Sequence, residues 1–238
     1  MPFEIKILIT CAVAIFVGII LGNSAVYFFN KMPGKWLVDY GEEPSEELLH
    51  PTTQRVKSFP YKYIFSVFFV CTGLYLGVKN PWIAFPVLFT LWLLLEMSIA
   101  DIKYRIVPDQ LIMILVLAGI GFLPHHARGI MDCLIGAAAG LVLMLSVLLL
   151  TRVITKKWAL GGADIKLFAA LGLCSGTDGI LTIFVLSTFM AAVHIAYRLI
   201  KKETSFGDFF PMVPYISAAA GVYFIFLHDM MYGWVLSL

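Results

Sequence analysis

Charge is what this sequence is short of. Only 13% of its 238 residues are charged, with a net charge of +2, against about a quarter in soluble domains. Taken with 61% hydrophobic residues and a mean hydropathy of +0.91, that scarcity excludes an ordinary soluble domain. It also argues against a nucleic-acid partner, because the basic residues are dispersed over several loops and form no single patch. Cysteine is sparse as well. Cys11, Cys71, Cys133 and Cys174 each fall inside an apolar stretch, with no C-x-x-C pair and no His at metal spacing, so no cysteine-built metal site is expected and the thiols read as small apolar side chains. Met1 to Lys6 lack the strongly basic start of a cleaved signal, and the apolar stretch behind them is longer than the ~7–15 residues of a signal core, so this stretch is predicted to be retained as a membrane span. No internal repeat is visible.

What the sequence has is long apolar runs. A span needs ~20 predominantly apolar residues, or fewer where protein neighbours shelter its ends. The pattern predicts an all-α polytopic membrane protein, a single membrane-embedded domain over 1–238, with about eight transmembrane helices at 5–29, 61–79, 81–100, 107–123, 130–151, 163–176, 179–199 and 211–236. The sixth opens on Gly161 and Gly162 and carries Asp164 and Lys166. Short, glycine-interrupted spans are where membrane proteins tend to place function.

Orientation follows from the loops. One side collects Lys31, Lys35, Arg55, Lys57, Lys62, Lys103, Arg105, Arg152, Lys156, Lys157, Lys166, Arg198, Lys201 and Lys202, while the other keeps Lys6, Lys79 and Arg128. The basic side is therefore assigned to the cytoplasm and both chain ends to the outside. The one sizeable loop, 31–60, is cytoplasmic on this assignment. It is rich in Pro and Gly, carries the acidic run Glu42, Glu43, Glu46 and Glu47, and is expected to lie against the membrane surface or the basic loops.

Two aspartates stand at the ends of apolar segments on that side. Asp101 closes the third span in A-D-I-K-Y-R-I-V-P-D, and Asp164 opens the sixth in L-G-G-A-D-I-K-L. An ionisable residue at membrane depth is costly and usually faces a protein interior or a wet cavity. Asp101 also admits a plainer role as a carboxylate paired with Lys103 or Arg105, and Asp164 one as a helix N-cap. Gly161 and Gly162 tip the second case, because with Ala163 they allow another backbone to approach the Asp164 carboxylate closely. Pro108 and Asp109 suit the first turn of the next helix and read as structural. Glu96, five residues before Asp101, is expected to make a structural hydrogen bond; Asp208, before Phe209-Phe210-Pro211, is expected to cap and stands in reserve for the pair.

The joint pattern resembles a known family. D-x-x-x-x-x-x-P-D from Asp101 to Asp109, then G-G-A-D-I-K from Gly161 to Lys166, is similar to the membrane-embedded aspartic peptidases of the G-x-G-D type, specifically the type IV prepilin peptidases. Gly22 to Pro33, G-N-S-A-V-Y-F-F-N-K-M-P, and Phe209 to Tyr215 resemble two further stretches of that family. Ala163 replaces the family's glycine before the second aspartate, and Val26 stands where an Asn is usual. The 31–60 loop takes the place of a larger cytoplasmic insert whose two C-x-x-C pairs resemble a zinc site in bifunctional members.

The resemblance implies an endopeptidase in the inner, cytoplasmic membrane of a prokaryote, with its active site facing the cytoplasm. Asp101 and Asp164 would be catalytic, and prepilin or pilin-like precursors the partners besides the lipid bilayer. It implies no metal and no cofactor for proteolysis, and S-adenosylmethionine only if N-methylation accompanies cleavage. Lys166 would favour the ionised form of its neighbour Asp164, or serve as an ordinary interfacial lysine. The competing reading from the residues alone is a proton- or ion-coupled transporter using the same carboxylates. Against it, both carboxylates sit on one side and no second site lies opposite.

Overall fold

The computed structural model describes residues 3–39, 41–50, 53–126, 128–155, 161–203 and 210–230. Their regular secondary structure is all helix, in order α1 (Phe3–Lys31), a short α2 (Glu46–Leu49), α3 (Ser58–Lys79), α4 (Pro81–Tyr104), α5 (Asp109–Ala118), α6 (Ile130–Thr155), α7 (Gly162–Ile200) and α8 (Val213–Val222). α5 runs on as a 3-10 helix to His125, and α8 as a π-helix to Leu227. Among the described residues, six helices are long and apolar enough to cross a membrane, and Asp109–His125 is a shorter apolar one. The chain is thus an all-helical polytopic membrane protein. Two compact units divide it, Met1–Glu96 and Met97–Leu238.

In the first unit α1 lies directly on α3. A Cβ at Gly18 would come within 2.6 Å of the Val70 nitrogen, and one at Gly22 within 2.2 Å of the Ser66 nitrogen. Two glycines a turn apart let the backbones touch, the usual way helices associate where no hydrophobic drive exists between them. The segment after α1 does more than lie on a surface. Arg55 is buried and donates to the carbonyls of Phe29, Met32 and Leu48. Asn30 exchanges two hydrogen bonds with the Val56 backbone, at 2.8 and 2.9 Å. The Arg55 bonds to Phe29 and Met32 occupy backbone carbonyls left open at the end of α1, and Met32, Leu37, Leu48 and Val56 are buried around them.

In the second unit the main pairing is α6 on α7. Here 39 residues of α7 would run to about 58 Å, roughly twice a hydrocarbon core of about 30 Å. The helix is broken where that arithmetic demands, at Gly176, with φ +70° and ψ −174°, a conformation that side-chain-bearing residues resist. The expected spans 163–176 and 179–199 fall on either side of this break. Asp132 of α6 restores the lost backbone bonds: its Oδ1 accepts from the Thr177 N–H at 3.1 Å and the Thr177 hydroxyl at 3.0 Å. The Tyr223 hydroxyl donates to the Ser175 carbonyl at 3.2 Å.

His126 completes this end of the unit. It is buried, with Nδ1 3.4 Å from Asp132 Oδ2 and no hydrogen-bond partner for Nε2 among the described residues. Burial pushes the imidazole below its ordinary range, against a smaller upward pull from Asp132, with His125 adding to the lowering. The folded state therefore holds His126 neutral, whereas the unfolded chain takes up its proton near pH 6.5. Stability is full above that pH and falls as the pH drops through it. Thermal melts of purified protein should show a lower Tm at pH 5.5 than at pH 7.5, with a smaller difference in His126→Gln; an unchanged difference in the variant would contradict this assignment.

Candidate active site

Asp101 lies in the last turn of α4, inside the second unit. Arg105 ends that helix in the left-handed region, at φ +56°, and its N–H bonds the Asp101 carbonyl at 2.9 Å. The side chain turns inward and is only 7% exposed. Its Oδ2 accepts the Val213 N–H at 2.9 Å, at the first residue of α8, so a helix N-terminus with its positive dipole end faces the carboxylate. Arg105 lies within electrostatic reach.

Asp164 is the third residue of α7. Its N–H bonds the Gly161 carbonyl at 3.2 Å, and its carboxylate reaches back to the Gly161 backbone N–H, closing the first turn reciprocally. Gly161, not Asp164, is the N-cap. With φ −76° and ψ 144°, Gly161 has a backbone open to any residue. What glycine supplies here is space, since a Cβ at Gly162 would meet nothing within 4 Å. Ala163 and Asp164 are half-buried beside that opening. The Asp101 charge acts on Asp164, so two carboxyls 63 residues apart in sequence lie within electrostatic reach of each other.

The remaining candidates fall into place around them. Asp109 is the first residue of α5, behind Pro108 as N-cap, and makes no side-chain cap. It pairs instead with Lys166, whose Nζ lies 2.9 and 2.7 Å from its two carboxylate oxygens. Lys166 is thus engaged by Asp109. Both side chains are more than half exposed, at 57% and 58%, where an ion pair contributes about 0–1 kcal/mol. Lys166→Gln should therefore lower stability by less than about 1 kcal/mol in a denaturation measurement, and a larger loss would mean a buried role.

Glu96 is fully buried, and neither carboxyl oxygen has a hydrogen-bond partner among the described residues, so the structural bond expected from sequence is not found there. His194 of α7 is exposed, and its Nδ1 lies 2.8 Å from the Tyr215 hydroxyl. Asp208 lies outside the described residues. One contributor has no side chain to betray it: the Val213 N–H that holds Asp101. The available signal was the pair Pro211 and Pro214 around it, since a proline in the first turn marks a helix start.

Arranged this way, the site offers one carboxylate fixed by a helix N-terminus and a second beside an unfilled backbone face. That is equipment for proton transfer to and from a water or carbonyl brought between them. Comparison with known proteins bears on the same region. Residues 88–196 match the model of the type IV leader peptidase family. A prepilin leader peptidase/N-methyltransferase of Xanthomonas campestris is 32% identical over 155 residues, 65% of this chain and 54% of the relative. The protein of that name in Pseudomonas aeruginosa is 29% identical over 59% of this chain and 49% of its own. In Bacillus subtilis the figures are 25%, 64% and 59%. The chain spans about half the length of the curated relatives it matches. No solved structure matches it. Asp101 and Asp164 both lie inside the stretch that is similar to the type IV leader peptidase family.

Proposed function

We propose that the chain is an intramembrane aspartic endopeptidase that removes the basic leader of prepilin-like precursors at the cytoplasmic face of a bacterial inner membrane. The observation that carries this reading is the interaction of Asp101, pinned by the Val213 N–H, with Asp164. Two carboxyls brought close enough to share one proton titrate as a pair. The ionised member takes a proton from water as it attacks the scissile carbonyl. The protonated member polarises that carbonyl and then protonates the departing amine.

The topology that serves this chemistry has eight membrane segments, with α7 counted twice across Gly176, and both chain ends outside. It puts Asp101 and Asp164 on the basic side. A precursor with its leader in the cytoplasm and its apolar helix in the bilayer would present the junction between them to the open face beside Gly162, where no side chain obstructs a substrate backbone. The 31–60 segment, without a cysteine, is proposed to stand in place of a larger insert. The proposal is confined to hydrolysis.

Co-expression with a prepilin-like precursor tests it, with the mature N-terminus read by mass spectrometry. Cleavage at the leader junction is expected. A precursor left intact beside well-folded protein in the membrane would overturn the reading, and a product heavier by one methyl group would extend it to the second activity in the relatives' name.

A further inference from the structure

A second polar site lies far along the sequence from the aspartates, wholly within the first unit. A cavity of about 590 Å³ opens between the last third of α1 and the start of α3, lined by Asn23, Tyr27 and Lys31 on one side and Gln54, Ser58 and Lys62 on the other. Its position along α1 is set by the sequence. The 29 residues of α1 run to about 43 Å, well beyond a hydrocarbon core of about 30 Å. The continuous apolar run ends at Leu21, and the cavity starts at Asn23.

Independent evidence puts the same level at the membrane interface. Tyr27, Phe59, Tyr61 and Tyr63 are 68%, 74%, 44% and 55% exposed, which is how amphipathic and aromatic rings sit at headgroup depth. Further along the same helices Phe16, Ile19, Ile20, Ile64 and Val67 are exposed as well, an apolar flank leading away from the cavity.

The chemistry of the lining has one sign. Lys31 and Lys62 are its charged members and no acidic residue contributes. Among the described residues neither lysine pairs with a carboxylate; Lys62 rests over the Tyr63 ring, its Nζ 4.8 Å from the centroid. Two ammonium groups with hydroxyl and amide groups in the same lining suit a phosphate anion.

We propose that this cavity binds the headgroup of an anionic phospholipid, its phosphate between Lys31 and Lys62 and its acyl chains along the exposed flank of α1 and α3. The lipid is favoured over free phosphate because the cavity adjoins that apolar flank and the aromatic belt. A bound lipid would fasten the 31–57 segment, through Lys31 and Gln54, to the bilayer surface.

The test is native mass spectrometry of the full chain, released from mixed micelles holding phosphatidylglycerol and phosphatidylcholine in equal amounts. The wild type is expected to retain phosphatidylglycerol in preference. Lys31→Gln/Lys62→Gln should lower that preference by about tenfold or more, since each basic group near an anionic surface adds its own share. Lys201→Gln/Lys202→Gln, which removes the same charge elsewhere, should leave it unchanged, and inorganic phosphate should not displace the lipid. Equal retention of the two lipids by the wild type would overturn the proposal. So would full retention by the Lys31/Lys62 variant, an equal loss in the control pair, or displacement by inorganic phosphate.

Discussion

Replacing either Asp101 or Asp164 with asparagine is expected to abolish processing of a prepilin-like precursor. General acid–base groups each contribute roughly 10²- to 10⁴-fold, and two groups that share one proton act as a unit, so the double variant should be no worse than either single one. Asparagine is the informative substitution at Asp101 because that carboxylate also accepts the Val213 N–H at 2.9 Å. The amide oxygen can still accept that bond, leaving the first turn of α8 in place, whereas alanine would also remove a helix-terminal acceptor at a cost of about 0.5–2 kcal/mol. Loss of activity in Asp101→Asn with an unchanged melting temperature therefore reports on proton transfer. Asp109→Asn provides the contrast. It weakens an exposed pair with Lys166 and should reduce processing by no more than a few-fold. Full processing by Asp101→Asn or Asp164→Asn would remove the pair from the mechanism.

Why these two residues could be picked out from sequence, and their surroundings could not, has a physical basis. A charge at the end of an apolar run is conspicuous because the membrane penalises it, so Asp101 and Asp164 announce themselves locally. The spans are legible for the same reason: hydropathy is a property of contiguous residues, and even the break in α7, at Gly176, falls where one predicted segment ends before the next begins. Partners distant in the chain leave no such trace. Asp109 looked like a helix-terminal residue because only its own helix was in view, and its partner Lys166 is 57 residues away. The 31–60 segment looked like a surface loop because its composition is polar. Its closure rests on Arg55 and Asn30 meeting backbone groups of α1 and Val56, which composition does not encode. Gly161 and Gly162 were singled out for close approach to Asp164; no unusual backbone conformation is needed at Gly161, which has an ordinary φ, and Gly162 faces open space.

The glycines of the second unit divide into two kinds, and substituting one of each should separate folding from access. At Gly172 an added Cβ would sit 2.2 Å from the Gly136 carbonyl oxygen, 2.5 Å from its carbon and 2.8 Å from the Ala137 Cα. All three are backbone atoms of α6, so no rotamer change relieves the overlap and the two helices must separate. Gly136 and Gly140 make the reciprocal approaches, 2.4 Å from the carbonyl oxygens of Gly172 and Phe168. Overpacking costs about 1–3 kcal/mol where side chains can yield, so Gly172→Ala should lie at or beyond the top of that range, and Gly172→Val should fail to accumulate in the membrane. Asp164 rides on the same helix, about two turns before Gly172. A shift of about 1 Å there is enough to cost roughly 10²-fold in rate, so whatever Gly172→Ala protein survives should be nearly inactive. Gly162→Ala is the opposite case. Its Cβ meets nothing, so the melting temperature should stay within a degree or two of the parent (ΔΔG of about 0.5 kcal/mol or less), while the methyl group narrows the face on which a substrate backbone would lie beside Asp164. A rise in KM with unchanged stability identifies that face as the approach to the dyad. Unchanged kinetics in Gly162→Ala would move the substrate to another side of Asp164, and a stable, active Gly172→Val would contradict the direct backbone contact of α6 with α7.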